Sequence, residues 1–259
     1  MSETWRYLDS GFCSGAENMA LDEAILHAHE AGLVPPTLRV YGWQPTAVSL
    51  GKFQNLEATV DLEACRRRGF HIVRRPTGGR AILHTAEEVT FSLVISAQRL
   101  GTTGVMDSYQ QLAAGIVAAL CALDLKAHLV ERRAPAPAGP MLAQDPACFA
   151  VKARCDLVVG NAKLVGSAQV QHRGFILQQN SLPLALHVEA WSEVFHRPAL
   201  APEAIGLWEA AGRMIPAAAV AMALCEGFAQ AFEIQLSEMG LTPEEQQETN
   251  MLLPQVQLA

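Results

Sequence analysis

The alternation of apolar and polar residues changes period several times along this chain, and each change marks an element. Residues 14–31 carry a helical repeat: Ser14 with Glu17 three positions on makes a capping-box start, and Met19, Leu21, Ala24, Ile25 and Leu26 supply much of an apolar face. Gly32 and the Pro35-Pro36 pair end that helix, and "TLRVYGW" then reads as a strand. "TAVSLG" is a short alternating strand, "DLEACRRRG" a helix closed by Gly69, and "FHIVRR" a strand again. After a Gly-Gly loop come "AILH" and "VTFSLVIS", the latter with Val89, Phe91, Leu93 and Ile95 on one face at period two.

The clearest long helix spans 107–123, with Asp107 as its expected cap. "RRAPAPAGPMLAQDPA" has too many prolines for a regular element and predicts a long surface loop or lid. Residues 155–184 read as strands joined by turns at Gly160-Asn161 and Arg173-Gly174, and residues 188–247 as mostly helical. No internal repeat and no dividing linker is visible. The expectation is a single α+β domain over residues 1–259: a mixed, largely antiparallel sheet flanked by helices, with its core at about 32–247 and a helical C-terminal part.

Composition narrows the function classes. With 50% hydrophobic and 17% charged residues, the chain has the balance of a compact protein, and a net charge of −7 argues against nucleic acid as the main partner. Charge is nonetheless uneven, since residues 66–80 hold six arginines and no acid. That segment is either a solvated face or a positive patch for an anionic group or an acidic partner protein. The opening "MSETWRYLDS" shows no export signal, and the apolar runs fall short of a membrane span. The six cysteines are scattered without a C-x-x-C pair, which fits a reduced, cytoplasmic setting without disulfides or a zinc site.

Three stretches carry candidate chemistry. "RRPTGGRAILH", residues 74–84, lacks the glycine and lysine spacing of the common nucleotide loops. It is either a plain strand-to-strand turn or a loop whose bare glycine backbone lets a ligand approach. In "DPACFAVKARCDLVV", Cys155 falls in an apolar strand pattern and reads as a small buried hydrophobe, whereas Cys148 opens a loop-to-core junction within reach of a substrate. In "NAKLVGSAQ", Lys163 is one of four lysines in the chain and lies among apolar residues. It either snorkels to solvent from a strand edge or stands beside a substrate or a thiol, because a buried cation needs an anion.

Together with "NMALDEAIL", "RVYGWQPTAVSLGKFQN" and "EVTFSLVIS", these stretches resemble the lipoate ligase, octanoyltransferase and biotin ligase superfamily over about residues 4–245. Within it, "ETWRYLDSG" and the cysteine of "PACF" are similar to the LipM-type octanoyltransferases. The resemblance implies a mixed, largely antiparallel sheet flanked by helices. It implies octanoyl transfer from acyl carrier protein to a lysine of the glycine-cleavage H protein or another lipoyl domain, without cofactor or metal. Cys148 falls on the family's acyl-accepting cysteine and Lys163 on the lysine thought to lower that thiol's pKa. Arg74, Arg75, Thr77, Gly78, Gly79, Arg80 and His84, with Gly166, Ser167 and Ala168, fall on segments that line the acyl and pantetheine pocket.

The chemistry agrees with ping-pong transfer, in which a lysine cation raises the thiolate fraction and an amide formed from a thioester is downhill. Amides of the Gly78-Gly79 loop, or near Lys163, are the candidates for stabilising an oxyanion. Three rivals remain: an ATP-dependent lipoate–protein ligase, which has no need of the thiol; an amidotransferase between lipoyl proteins, which would use it; and an inactive acyl- or partner-binding module.

Overall fold

The computed structural model describes residues 2–102, 104–130, 148–150, 156–196 and 204–259. An eight-stranded sheet runs in the order β11 (Gln235–Glu238), β1 (Thr4–Cys13), β2 (Thr37–Trp43), β6 (Glu88–Ser96), β10 (Phe175–Pro183), β9 (Ala162–His172), β8 (Leu157–Val159), β7 (Ala127–Leu129). Its β11–β1 and β1–β2 pairs are parallel and the rest antiparallel. A second sheet places β3 (Ala47–Leu50) between β4 (His71–Arg74) and β5 (Ile82–His84).

One face of the large sheet is apolar at period two. Phe91, Leu93 and Ile95 of β6 pack with Leu112 and Ile116 of α5 (Val105–Ala122) and with Leu224 and Phe228 of α8 (Ala217–Phe232). Each such side chain contributes roughly 1.5–3 kcal/mol by leaving water. Asp107 does not cap α5, contrary to the expectation. Gly104 holds that position without a side-chain bond, and Asp107 lies in the first turn, where its carboxylate meets the positive end of the helix.

The opposite face, covered by α1 (Gly15–Glu30), mixes an apolar patch, Val94 and Leu177 against Leu21, Ile25 and Leu26, with buried polar side chains. Ser14 and Glu17 form the expected reciprocal cap. Asn18 and Asp22, four residues apart and therefore on one side of α1, meet the buried Arg39 of β2: Asp22 Oδ1 accepts from Arg39 at 2.7 Å, and Asn18 Oδ1 from the same guanidinium at 2.7 Å. The polar look of the first ten residues conceals β1. Arg6 is buried there because Glu245 of α9 (Pro243–Val256) receives it bidentately, at 2.5 and 2.9 Å. The parallel strand β11, in a region expected to be mostly helical, then closes the edge beside β1. The predicted proline-rich loop and Cys155 lie outside the described residues. Among the described residues no helix is long and apolar enough to cross a membrane.

Candidate active site

The arginine-rich segment is dispersed by folding. Helix α3 (Leu62–Arg68), closed by Gly69 as expected and capped at its start by Asp61, pairs Arg66 with Glu63 and Arg68 with Glu193 at the surface. Arg74 turns inward onto the loop after β3, donating to the carbonyls of Gly51, Lys52 and Gln54 at 2.9–3.2 Å. Arg75 is buried and donates to Ser49 O and Oγ, both at 2.9 Å, and to the carbonyls of Gly78 at 2.9 Å and Arg80 at 2.6 Å. It is the hub of the Gly-Gly loop. Burial pushes its guanidinium down to about 10, against the attraction of nearby Cys148, Tyr109 and Tyr41.

The loop needs glycine at two places. Gly79 has φ +87°, and a Cβ on Gly51 would lie 2.0 Å from the Gly79 carbonyl oxygen. Gly78 faces open space. Next to this loop Cys148 opens a single 3-10 turn, Cys148–Ala150, and its amide donates to Ala81 O at 2.8 Å. The Gly-Gly loop and the cysteine are therefore neighbours in space.

Lys163 reaches the thiol from β9. A register shift in the β8–β9 pairing matches Val158 with Lys163 but Leu157 with Val165, so one extra residue of β9 intervenes. In a plain strand Lys163 and Val165 would share a face. Here the bulge turns Val165 to the α5/α8 core and leaves Lys163 on the side of Gly166 and Ala168. Lys163 Nζ lies 3.4 Å from Cys148 Sγ, 3.0 Å from the Cys148 carbonyl oxygen and 2.9 Å from Asp156 Oδ2. Burial acts to lower the Lys163 ammonium, but its interactions with the Cys148 sulfur and with Asp156 outweigh it, and the amine is held above its ordinary value.

Gly166 leaves room for the sulfur, since a Cβ there would lie 3.2 Å from Cys148 Sγ. Ser167 points to the other side and donates to Asn180 at 2.8 Å. A small cavity, partly open to solvent, lies beside these residues and is lined by Arg75, Ile82, His84, Ala168 and Gln179 with Tyr41 and Trp43. Its polar walls bond to one another. His84 Nε2 meets Ser49 Oγ at 2.8 Å, its Nδ1 meets Glu88 at 2.9 Å, and its ring stacks on Trp43 with centroids 3.8 Å apart.

Of the residues singled out from sequence, Cys148, Lys163, Arg75, Gly79, His84, Gly166 and Ala168 gather around the thiol and the cavity, while Arg74 and Ser167 are engaged elsewhere. Thr77 is buried with its hydroxyl on Gln179, and Arg80 contributes its carbonyl to Arg75. Asp156, Ser49, Glu88 and Gln179 escaped sequence reasoning. For Asp156 a signal existed: a lysine in an apolar strand calls for an anion, and the preceding strand begins beside one. Among the described residues no cluster of three His, Cys, Asp or Glu side chains could hold a metal.

Comparison with known proteins gives this geometry a context. The model of the lipoyl protein ligase A/B catalytic domain matches residues 14–229. An octanoyltransferase LipM from Kyrpidia tusciae is 41% identical, covering 97% of this chain and 95% of its own, and one from Symbiobacterium thermophilum is 40% identical over 98% and 95%. Among solved structures, lipoate-protein ligase A bound with ATP superposes with a TM-score of 0.81 at 23% identity, covering 98% of this chain and 95% of its own. A bipartite lipoate protein ligase from Thermoplasma acidophilum gives 0.78 at 22% identity, covering 97% and 92%. These structures share the fold. With a family match over most of its length and near-complete relatives above 30% identity, the chain belongs to the lipoyl protein ligase A/B catalytic family, among its LipM octanoyltransferases.

Proposed function

We propose that residues 1–259 act as one catalytic domain that transfers octanoate by a ping-pong route through Cys148. The donor is octanoyl-acyl carrier protein, and the acceptor is a lysine of the glycine-cleavage H protein or another lipoyl domain in the cytoplasm. The observation that carries the reading is the buried Lys163 ammonium 3.4 Å from Cys148 Sγ, beside a cavity. A cation there stabilises negative charge on sulfur. The thiolate attacks the donor's thioester carbonyl, the carrier leaves as its thiol after taking the proton of Lys163, and the octanoyl group remains on Cys148.

That step also prepares the next one. Lys163 is held above its ordinary value against burial by two partners, the Cys148 sulfur and Asp156. Acylation converts the sulfur into a neutral thioester and removes one of them. With its proton given to the leaving carrier, Lys163 is a neutral amine, the form that burial favours, and it takes the proton released as the acceptor lysine attacks. The amide forms, the C–S bond breaks, and the sulfur leaves as the anion that restores the resting pair. Arg75, Thr77, Gly78, Gly79 and His84 shape the acyl pocket in this reading, with Gly166 and Ala168 as its floor.

Incubation with octanoyl-acyl carrier protein without ATP, followed by intact-mass measurement, tests the proposal. The expected result is an octanoyl adduct that Cys148→Ala abolishes. An unmodified wild-type protein overturns it in favour of an ATP-dependent ligase. Acylation by octanoylated H protein but not by the carrier would instead identify an amidotransferase.

A further inference from the structure

Thr77 and Gln179 connect the Gly-Gly loop to a polar cluster on the far side of the cavity. Thr77 Oγ1 lies 2.7 Å from Gln179 Oε1, and Gln179 Nε2 lies 2.7 Å from Asp22 Oδ2. Asp22 also accepts from Arg39 at 2.7 Å, Ser92 at 2.6 Å and Tyr41 at 2.9 Å, and all these groups are buried. A carboxylate bonded to arginine can only accept. Gln179 must therefore present its amide nitrogen to Asp22 and its carbonyl to Thr77, and the Thr77 hydroxyl must donate. One orientation is transmitted from α1 through β10 into the loop.

The loop's main chain depends on that anchor. Thr77 O accepts from the Lys52 amide at 2.9 Å, Gly78 O accepts from Arg75, and Gly79 lies against Arg75 and Ala168. Gln179 pairs with Ala168 across the strands, two residues from the glycine that packs on Cys148 Sγ. We propose that Gln179 is a positioning residue for acyl transfer: through Thr77 it fixes the height and tilt of the Gly-Gly loop over the acyl cavity. The inference rests on the acyl-transfer reading and adds a residue on which the chemistry does not directly draw.

The test uses the full chain with Thr77→Val, Gln179→Met and their combination, each checked for a cooperative thermal transition. Two rates are read: acylation of Cys148 by octanoyl-pantetheine, and alkylation of Cys148 by iodoacetamide, followed on its own peptide. Either single variant should slow acylation about tenfold, the scale of one buried hydrogen bond, with alkylation within about twofold of wild type. The double variant should be no slower than the worse single one, because both remove the same bond. Thr77→Ser, which keeps the hydroxyl, should recover most of what Thr77→Val loses, and it carries the test if Gln179→Met fails to fold. Unchanged acylation in Thr77→Val overturns the inference, as does a parallel fall of acylation and alkylation, which would place the effect at the thiol or in the fold. A wild-type protein that alkylates but never acylates overturns the transfer reading itself, and this inference with it.

Discussion

Arg75 and Lys163 are both buried cations beside the same cavity, and their surroundings push them in opposite directions. Arg75 meets carbonyls and a hydroxyl, and burial lowers its guanidinium to about 10. Among the described residues no carboxylate is paired with it. Lys163 meets Asp156 and the Cys148 sulfur, and it is held above its ordinary value despite equal seclusion. Burial alone does not decide the charge of a buried base; the neighbouring anion does. The arginine spends its hydrogen bonds on the shape of a loop, whereas the lysine is arranged around the Cys148 sulfur and Asp156.

The largest expected effect is at Lys163. Lys163→Met should slow acylation of Cys148 by octanoyl-acyl carrier protein roughly a hundredfold or more, read from an intact-mass time course. A loss under about tenfold would put the lysine back among structural residues. Its stability contribution has a definite sign with pH. Because the folded-state value is raised, the contribution is fully present below the ordinary 10.5 and is lost only as pH rises through the higher folded value. The stability gap between wild type and Lys163→Met, from urea denaturation across a pH series, should be flat through neutrality and shrink only in strong alkali. A gap that closes near neutral pH would contradict the pairing with Asp156.

A smaller, structural effect belongs to Arg75. Arg75→Gln leaves carbonyls of Ser49, Gly78 and Arg80 without their donor, and each such loss costs about 1–3 kcal/mol where no water replaces it. A drop of that order in thermal stability, with iodoacetamide reactivity of Cys148 largely kept, would sharpen the division between loop hub and reactive pair. Loss of both together would erase it. The smallest effect is expected from Arg66, whose pair with Glu63 is about 70% exposed on both sides. Arg66→Ala should change stability by less than about 1 kcal/mol and leave the carrier-dependent rate unchanged. A rate that falls and becomes insensitive to salt would revive the arginine segment as a docking patch.

Much of the architecture was visible in the sequence because it follows local rules. The Ser14–Glu17 cap, the Gly69 stop, and the hairpin turn at Arg173-Gly174, where both residues take positive φ, are set by their own neighbours. What escaped is non-local. β1 looks polar until Glu245, near the other end of the chain, satisfies Arg6. The six arginines form a patch on paper, yet acids and carbonyls distant in sequence claim three of them, and Glu63 on the same helix a fourth. At the site, Cys148 and Lys163 were recognisable as residue types. The bulge that aims Lys163 at the sulfur was not, since period two would have turned it away. Asp156 and Gln179 were missed because a hydrogen-bond partner has no spacing rule.

The close approach of Gly51 to the Gly79 carbonyl bears on engineering this pocket. The visible Gly-Gly signature invites substitution at Gly78, where a methyl group meets only open space. Gly51 is the sensitive dial. A methyl group there cannot be absorbed by a flexible side chain, since what it meets is backbone, so the loop must lift away from β3. A search for variants that accept bulkier acyl groups would begin at Gly51, outside the motif that advertises the site.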